Sequence, residues 1–262
     1  MRPIFIFLLL VSLAFSSCNN SKVPGEVYKA DPYAGIPENV QKVLEAHGGL
    51  EKWDKMNFLT YRLKRGDKNE LHQIDLKSRK VRLEGGEWVI GFDGEEVWVS
   101  PDKASYGGSS ARFYHNLIFY FYAMPFVLGD PGINYETLNP AEIKGKRYNK
   151  VRITFGENVG DAPDDEYILC FDPVTNQMEW LLYTVTYFSK EAGKKYNALH
   201  YNKWKEVNGL LLPEAMVGYK TSGDTITEKR YESFFEDIDI TEKAVEQTMF
   251  EMPETAEIDS LK

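Results

Sequence analysis

Cysteine is nearly missing from this chain: 262 residues hold only Cys18 and Cys170. No dense disulfide framework is possible, so stability must come from a hydrophobic core. Histidine is also sparse. His47, His72, His115 and His200 are scattered, and neither an HExxH nor a CxxC spacing occurs, so no metal centre is expected. GxSxG, Walker and GxGxxG sequences are absent as well, and with them the common signatures of acyl-transfer, nucleotide and dinucleotide chemistry. The chain is expected to need no cofactor and to catalyse no reaction. Basic charge is in deficit too, with 31 Lys and Arg against 40 Asp and Glu and a net charge of −9. Phosphate backbones need clustered cations, so nucleic acid is excluded as a partner, and anionic lipid headgroups are repelled rather than attracted.

Long apolar runs are equally rare, and the first one stands at the N-terminus. Arg2 precedes Ile4–Phe15, which as a helix extends about 18 Å and is too short for a hydrocarbon core of about 30 Å. Residues 1–17 therefore read as an export signal, with small Ser16 and Ser17 leading to Cys18. Phe15-Ser16-Ser17-Cys18 resembles the lipobox of bacterial lipoproteins, with Phe15 where Leu is usual. The resemblance makes Cys18 the lipid-attachment residue, carrying a thioether-linked diacylglyceryl group. The plainer alternative is a cleaved signal with an incidental cysteine. Residues 18–35 then form the lipidated cysteine and a flexible tether, whose 17 residues after Cys18 reach on the order of 20–25 Å.

The remaining chain is large enough for one substantial domain, expected over residues 36–252 and followed by a tail over 253–262. Pro37 to His47 has the apolar stripe of a helix, ended by Gly48-Gly49, with a second short helix expected over 50–56. Beyond it the period changes to two: Leu59, Tyr61 and Leu63; Trp88, Ile90 and Phe92; Val151, Ile153 and Phe155. Turn signals separate about ten strand candidates, including Asp93-Gly94 and Asn208-Gly209. Consecutive strands without intervening helices imply a large curved antiparallel sheet, mainly β with a few helices on its concave side. Phe113–Leu128 interrupts this pattern without a single formal charge, and it predicts an aromatic helix of about 13 residues from Ser109-Ser110 to Pro125.

Ala46-His47-Gly48-Gly49, then Trp53, Phe92-Asp93-Gly94 and the return Val207-Asn208-Gly209-Leu210-Leu211-Leu212-Pro213 resemble the outer-membrane lipoprotein-sorting (LolA/LppX-like) superfamily. That resemblance, over roughly residues 38–250, implies an unclosed half-barrel whose cavity accepts acyl chains, and it implies an outer-membrane location. Soluble carriers of that superfamily lack an anchor, so an anchored version looks like a receptor or a fixed lipid-binding station. The expected partners are a membrane, reached through the N-terminal lipid, and a hydrophobic small molecule or lipid. The alternative is a structural lipoprotein that docks another envelope protein.

Candidate ligand contacts are the large rings Trp88, Trp98, Phe119, Tyr120, Trp180 and Tyr183, which can line an apolar pocket or simply fill a core. Asp161-Ala162-Pro163-Asp164-Asp165 is the densest acidic cluster, read either as a solvated turn or as a calcium ligand set. Cys170, inside an apolar strand, reads as a small buried hydrophobe.

Overall fold

The computed structural model describes residues 31–156, 160–189, 195–223 and 225–260. Cys18, the export signal and most of the tether lie outside these residues. Two helices come first, α1 (Glu38–Ala46) and α2 (Leu50–Trp53). A five-stranded meander follows: β1 (Phe58–Arg65), β2 (Lys68–Asp75), β3 (Val81–Glu84), β4 (Val89–Phe92) and β5 (Val97–Ser100). Then come α3 (Lys103–Tyr106) and α4 (Ala111–Ala123). A second meander comprises β6 (Ile133–Ile143), β7 (Lys146–Phe155), β8 (Glu166–Phe171), β9 (Met178–Tyr183), β10 (Asn197–Val207), β11 (Leu210–Ser222) and β12 (Thr225–Thr241). Last comes the two-residue β13 (Glu257–Ile258).

The thirteen strands of the described residues form one antiparallel sheet in the order β13-β5-β4-β3-β2-β1-β12-β11-β10-β9-β8-β7-β6. Its two edges, β13 and β6, do not pair, so the sheet is an unclosed half-barrel with few helices. The meanders join where β12 returns to pair with β1. This order dictates the role of α4. The chain leaves β5 near one edge and must begin β6 at the other, so it crosses the concave side, and α4 spans about 20 Å of that path.

Local chemistry explains the start and end of that crossing. The Ser110 hydroxyl accepts from the Phe113 N–H at 3.2 Å as an N-cap, and extended backbone at Met124 ends the helix before Pro125. The Asp259 carboxylate accepts from the Ala111 and Arg112 N–H groups at 2.7 and 3.0 Å, adding negative charge at the positive helix end. Within the stretch expected to be a tail, residues 257–259 contribute a strand and a helix cap, because Glu257 and Ile258 can pair with the otherwise open edge of β5.

Period-two patterning is realised on β1. Leu59, Tyr61 and Leu63 are buried, while Lys64 reaches Glu236 across the outer face at 2.6 Å. The concave core gathers α1, α2, α4 and the inward side chains of most strands. Its centre is filled by the chain itself. Tyr122 of α4 stacks on Tyr61 with centroids 3.9 Å apart and meets Phe235 edge-on at 4.8 Å. Phe121 meets Tyr183 edge-on at 4.6 Å, and the Tyr201 hydroxyl donates to the Phe121 carbonyl at 2.7 Å.

Two of the turn motifs quoted for the family resemblance, Ala46–Gly49 and Val207–Pro213, pack on one another. A Cβ at Gly48 (φ +112°) would stand 2.4 Å from the Gly209 carbonyl oxygen, so only glycine permits α1 to end against the β10–β11 hairpin. The Leu211 N–H donates to the His47 carbonyl at 2.8 Å, and Trp53 stacks on Phe126 at 4.6 Å.

Candidate functional site

Since α4 occupies the concavity, the open space along this helix lies on its other side. Phe113, Asn116, Leu117 and Tyr120 follow i, i+3, i+4, i+7 spacing and form one outward stripe. They floor a cleft of about 510 Å³, counted to its open mouth, with Phe155, Tyr167 and Tyr187 as walls. A second cleft of about 520 Å³ runs along the same helix, bounded by Val81, Phe92, His115, Phe119 and Arg79. Asn116, Tyr120 and Gly160 line both, so the two openings adjoin and together make up the groove over α4. A third cleft, of about 610 Å³, adjoins the second. It shares Arg79 and Asp130 with it and is otherwise lined by Trp53, Asp54, Lys77 and neighbouring residues.

Charge around the groove is organised in pairs. At the first cleft, Arg112 donates from Nε and Nη2 to the two oxygens of Asp161 at 2.8 and 3.0 Å, a fork matched to a fork. Asp165 is buried there and accepts from the Thr186 N–H and hydroxyl at 2.6 and 2.8 Å. Burial raises its pKa, and the Thr186 hydrogen bonds oppose this. The acidic 161–165 turn is therefore partly buried and engaged by protein donors at both of these aspartates. Among the described residues no group of three His, Cys, Asp or Glu side chains is placed to hold a metal. At the second cleft, burial lowers His115 to a pKa of about 4, so its ring is neutral near pH 7. Exposed Phe188 stands edge-on to Phe113, 4.9 Å away, and extends the apolar rim.

The sequence-predicted contacts separate by face. Phe119 and Tyr120 line the groove. Tyr183 is buried beneath α4 against Phe121. Trp88 is half-buried and meets Tyr106 edge-on at 5.1 Å. Trp98 lies on the outer face, where its ring N–H donates to the Phe250 carbonyl at 3.3 Å. Trp180 is also on that face, stacked on His200 at 4.2 Å within a separate cluster that includes Cys170. Neither of these two tryptophans borders the three clefts. Burial pushes the Cys170 thiol up to about 12, in keeping with a packing role.

Sequence reasoning did not single out Arg79, nor Glu70. Glu70 is buried under α4, where it accepts from the Tyr114 hydroxyl at 2.6 Å and from His72 Nε2 at 3.3 Å. Burial pushes its carboxyl upward, but these hydrogen bonds outweigh that and hold the pKa below the ordinary value. Its position on β2 gave the only available signal, since Glu70 shares a face with His72 and Ile74.

The architecture is that of an open β half-barrel with a helix in its concavity and an apolar groove over that helix. Residues 100–217, less than half of the chain, match a family of unknown function, DUF6503. No curated protein matches. The chain is similar to a solved DUF1329 family protein from Desulfovibrio piger, at 10% identity and a TM-score of 0.52, covering 82% of this chain and 98% of that one. It is also similar to the LolA superfamily protein NE2245 from Nitrosomonas europaea, at 9% identity and a TM-score of 0.47, covering 81% and 97%. An outer membrane lipoprotein-sorting protein domain from Vibrio parahaemolyticus is similar at 11% identity and a TM-score of 0.38, covering 80% and 97%. The first likeness establishes a shared fold.

Proposed function

We propose that this chain is a lipid-anchored protein of the cell envelope that holds a hydrophobic or amphipathic ligand in the groove over α4. The observation that carries the proposal is that the two clefts share Asn116, Tyr120 and Gly160 and lie side by side along the outward face of α4. Rings and aliphatic side chains supply the walls, and the charged pairs sit at the margins. Burying about 400 Å² of hydrocarbon contributes about 10 kcal/mol before ordering costs, so binding needs no chemical step. The fold likeness supports a binding role without naming the ligand. Attachment rests on Cys18, and no helix among the described residues is long and apolar enough to cross a membrane.

Native mass spectrometry of the Cys18→Ser protein, which is expected to fold and leave the membrane fraction, tests both halves. Co-purifying lipid, or uptake of an added fatty acid at one per chain, supports the reading. A preparation that is empty and takes up nothing contradicts it, and retention of the variant on membranes contradicts the anchor.

The interlocked rings beneath α4 favour a second reading, a lipoprotein whose groove docks a segment of another envelope protein. A stoichiometric protein partner recovered from solubilised membranes, displaced by no lipid, identifies that case.

A further inference from the structure

The groove is flanked by two arginines, and they differ in how far their hydrogen-bonding capacity is used. Arg112 is closed: both oxygens of Asp161 occupy its fork. Arg79 is open. Its Nη2 donates to one oxygen of Asp130 at 2.6 Å, and among the described residues the guanidinium makes no other hydrogen bond. Most of its N–H groups remain for a second acceptor.

Its placement is built rather than incidental. Arg79 follows β2 in a turn framed by Asp75, whose carboxylate accepts from the Lys77 and Ser78 N–H groups at 2.9 Å each. Gln247 donates to the other Asp75 oxygen at 2.7 Å and ties the turn to the C-terminal segment. Within this frame Arg79 adopts φ +61°, a left-handed conformation that is uncommon outside glycine and unfavourable for a long side chain. The guanidinium lies 4.8 Å from the centre of the Phe119 ring, on the flank of α4. It borders the cleft of Val81, Phe92 and Phe119 on one side and the cleft of Trp53, Asp54 and Lys77 on the other. Lys77 is a second cation lining the latter cleft, and its ammonium donates to the Asp54 carbonyl.

An apolar channel that meets a half-used arginine at a junction with a charged cleft matches one ligand shape. We propose that the groove takes a single-chain amphiphile with an anionic head, its chain over Phe119, Val81 and Phe92 and its head on Arg79. This deepens the groove-binding reading and rests on it. Carboxylate and phosphate heads share the required chemistry, a planar or tetrahedral set of oxygens facing a guanidinium. Asp130 stays paired through Nη2, and the remaining prongs take the head. Neutral His115 adds no competing charge along the channel.

The test is competition of decanoate, decyl phosphate and decanol against the uncharged probe N-phenylnaphthylamine on the Cys18→Ser protein. The expected result is that one or both anions displace the probe about tenfold more strongly than decanol, as a charge-assisted hydrogen bond provides. The stronger anion identifies the source of the head. Arg79→Gln is expected to erase the difference between the anions and decanol, and Arg79→Lys to restore part of it; circular dichroism checks that both variants fold. Equal displacement by all three compounds on the unaltered groove overturns the proposal but keeps the binding reading. No displacement by any of them overturns both. A preference for anions that survives Arg79→Gln also overturns it, because the head then lies elsewhere.

Discussion

The two faces of α4 carry similar residues and do different things. Inward, Ile118, Phe121 and Tyr122 are buried among Tyr61, Tyr183, Tyr201 and Phe235, with ring centroids as close as 3.9 Å. Outward, Phe113, Leu117 and Tyr120 are only half-buried and border open volume. An aromatic helix that looks uniform in sequence is thus divided by the curvature of the sheet into a packing face and a face that borders open clefts. The lesson is that hydrophobicity on all sides of a helix does not by itself mean coverage on all sides.

The comparison breaks first on stability. Tyr122→Ala should cost about 3–5 kcal/mol, as large-to-small changes in a full core do, while Leu117→Ala should cost less than about 1 kcal/mol. Chemical denaturation measures both, and comparable losses would show the outward face to be packed after all.

Acid should act on the packed side nearly as strongly. Burial lowers His47 and His115 to about 4 from an ordinary 6.5, so the unfolded chain takes up these protons first. Stability is therefore full above about pH 6.5 and falls as pH drops toward 4, by roughly 3 kcal/mol per histidine at the end of that window. Asp130 and Asp165, raised chiefly by burial, oppose the trend at the acid end. His47→Gln should flatten the slope between pH 4 and 6.5 in a denaturation series; an unchanged slope would rule out a buried neutral His47.

The helix cap contributes less. Asp259→Ala should cost about 1–2 kcal/mol, because it removes acceptors from Ala111, Arg112 and the Ser110 hydroxyl. The variant should melt earlier, and a melting point equal to the parent's would mean that residues 253–260 do not brace α4. Smallest of all is Tyr122→Phe. The hydroxyls of Tyr122 and Tyr61 are buried and make no hydrogen bond among the described residues, so removing one should change stability by less than about 0.5 kcal/mol, or raise it. A loss above about 1 kcal/mol would reveal a partner for that hydroxyl.

These contrasts also show which parts of the molecule the sequence could disclose. Strand β1 was legible because one face is buried and the other is not, so Leu59, Tyr61 and Leu63 alternate with Thr60, Arg62 and Lys64. The aromatic helix was legible from its cap, Ser110, and its stop, Pro125. The sides taken by Trp98 and Trp180 were not. Both faces of the sheet are apolar in places, the outer one being covered near Trp98 by the 247–250 turn, so alternation alone assigns no direction. Arg79 was hidden for another reason: its role comes from a backbone conformation and from Asp130, 51 residues away. Glu257 and Ile258 are too short a run to read as a strand, and only the free edge of β5 makes them one.

Photolabelling with a fatty acid that carries a diazirine on its chain, followed by peptide mapping, reads the position of the ligand directly. A single saturable set of adducts is expected on Phe92, the outward stripe from Phe113 to Tyr120, and the Phe155 and Tyr167 walls. Adducts confined to Tyr61, Tyr122 and Phe235 would place the chain beneath α4, and scattered, unsaturable adducts would mean that the groove holds no lipid.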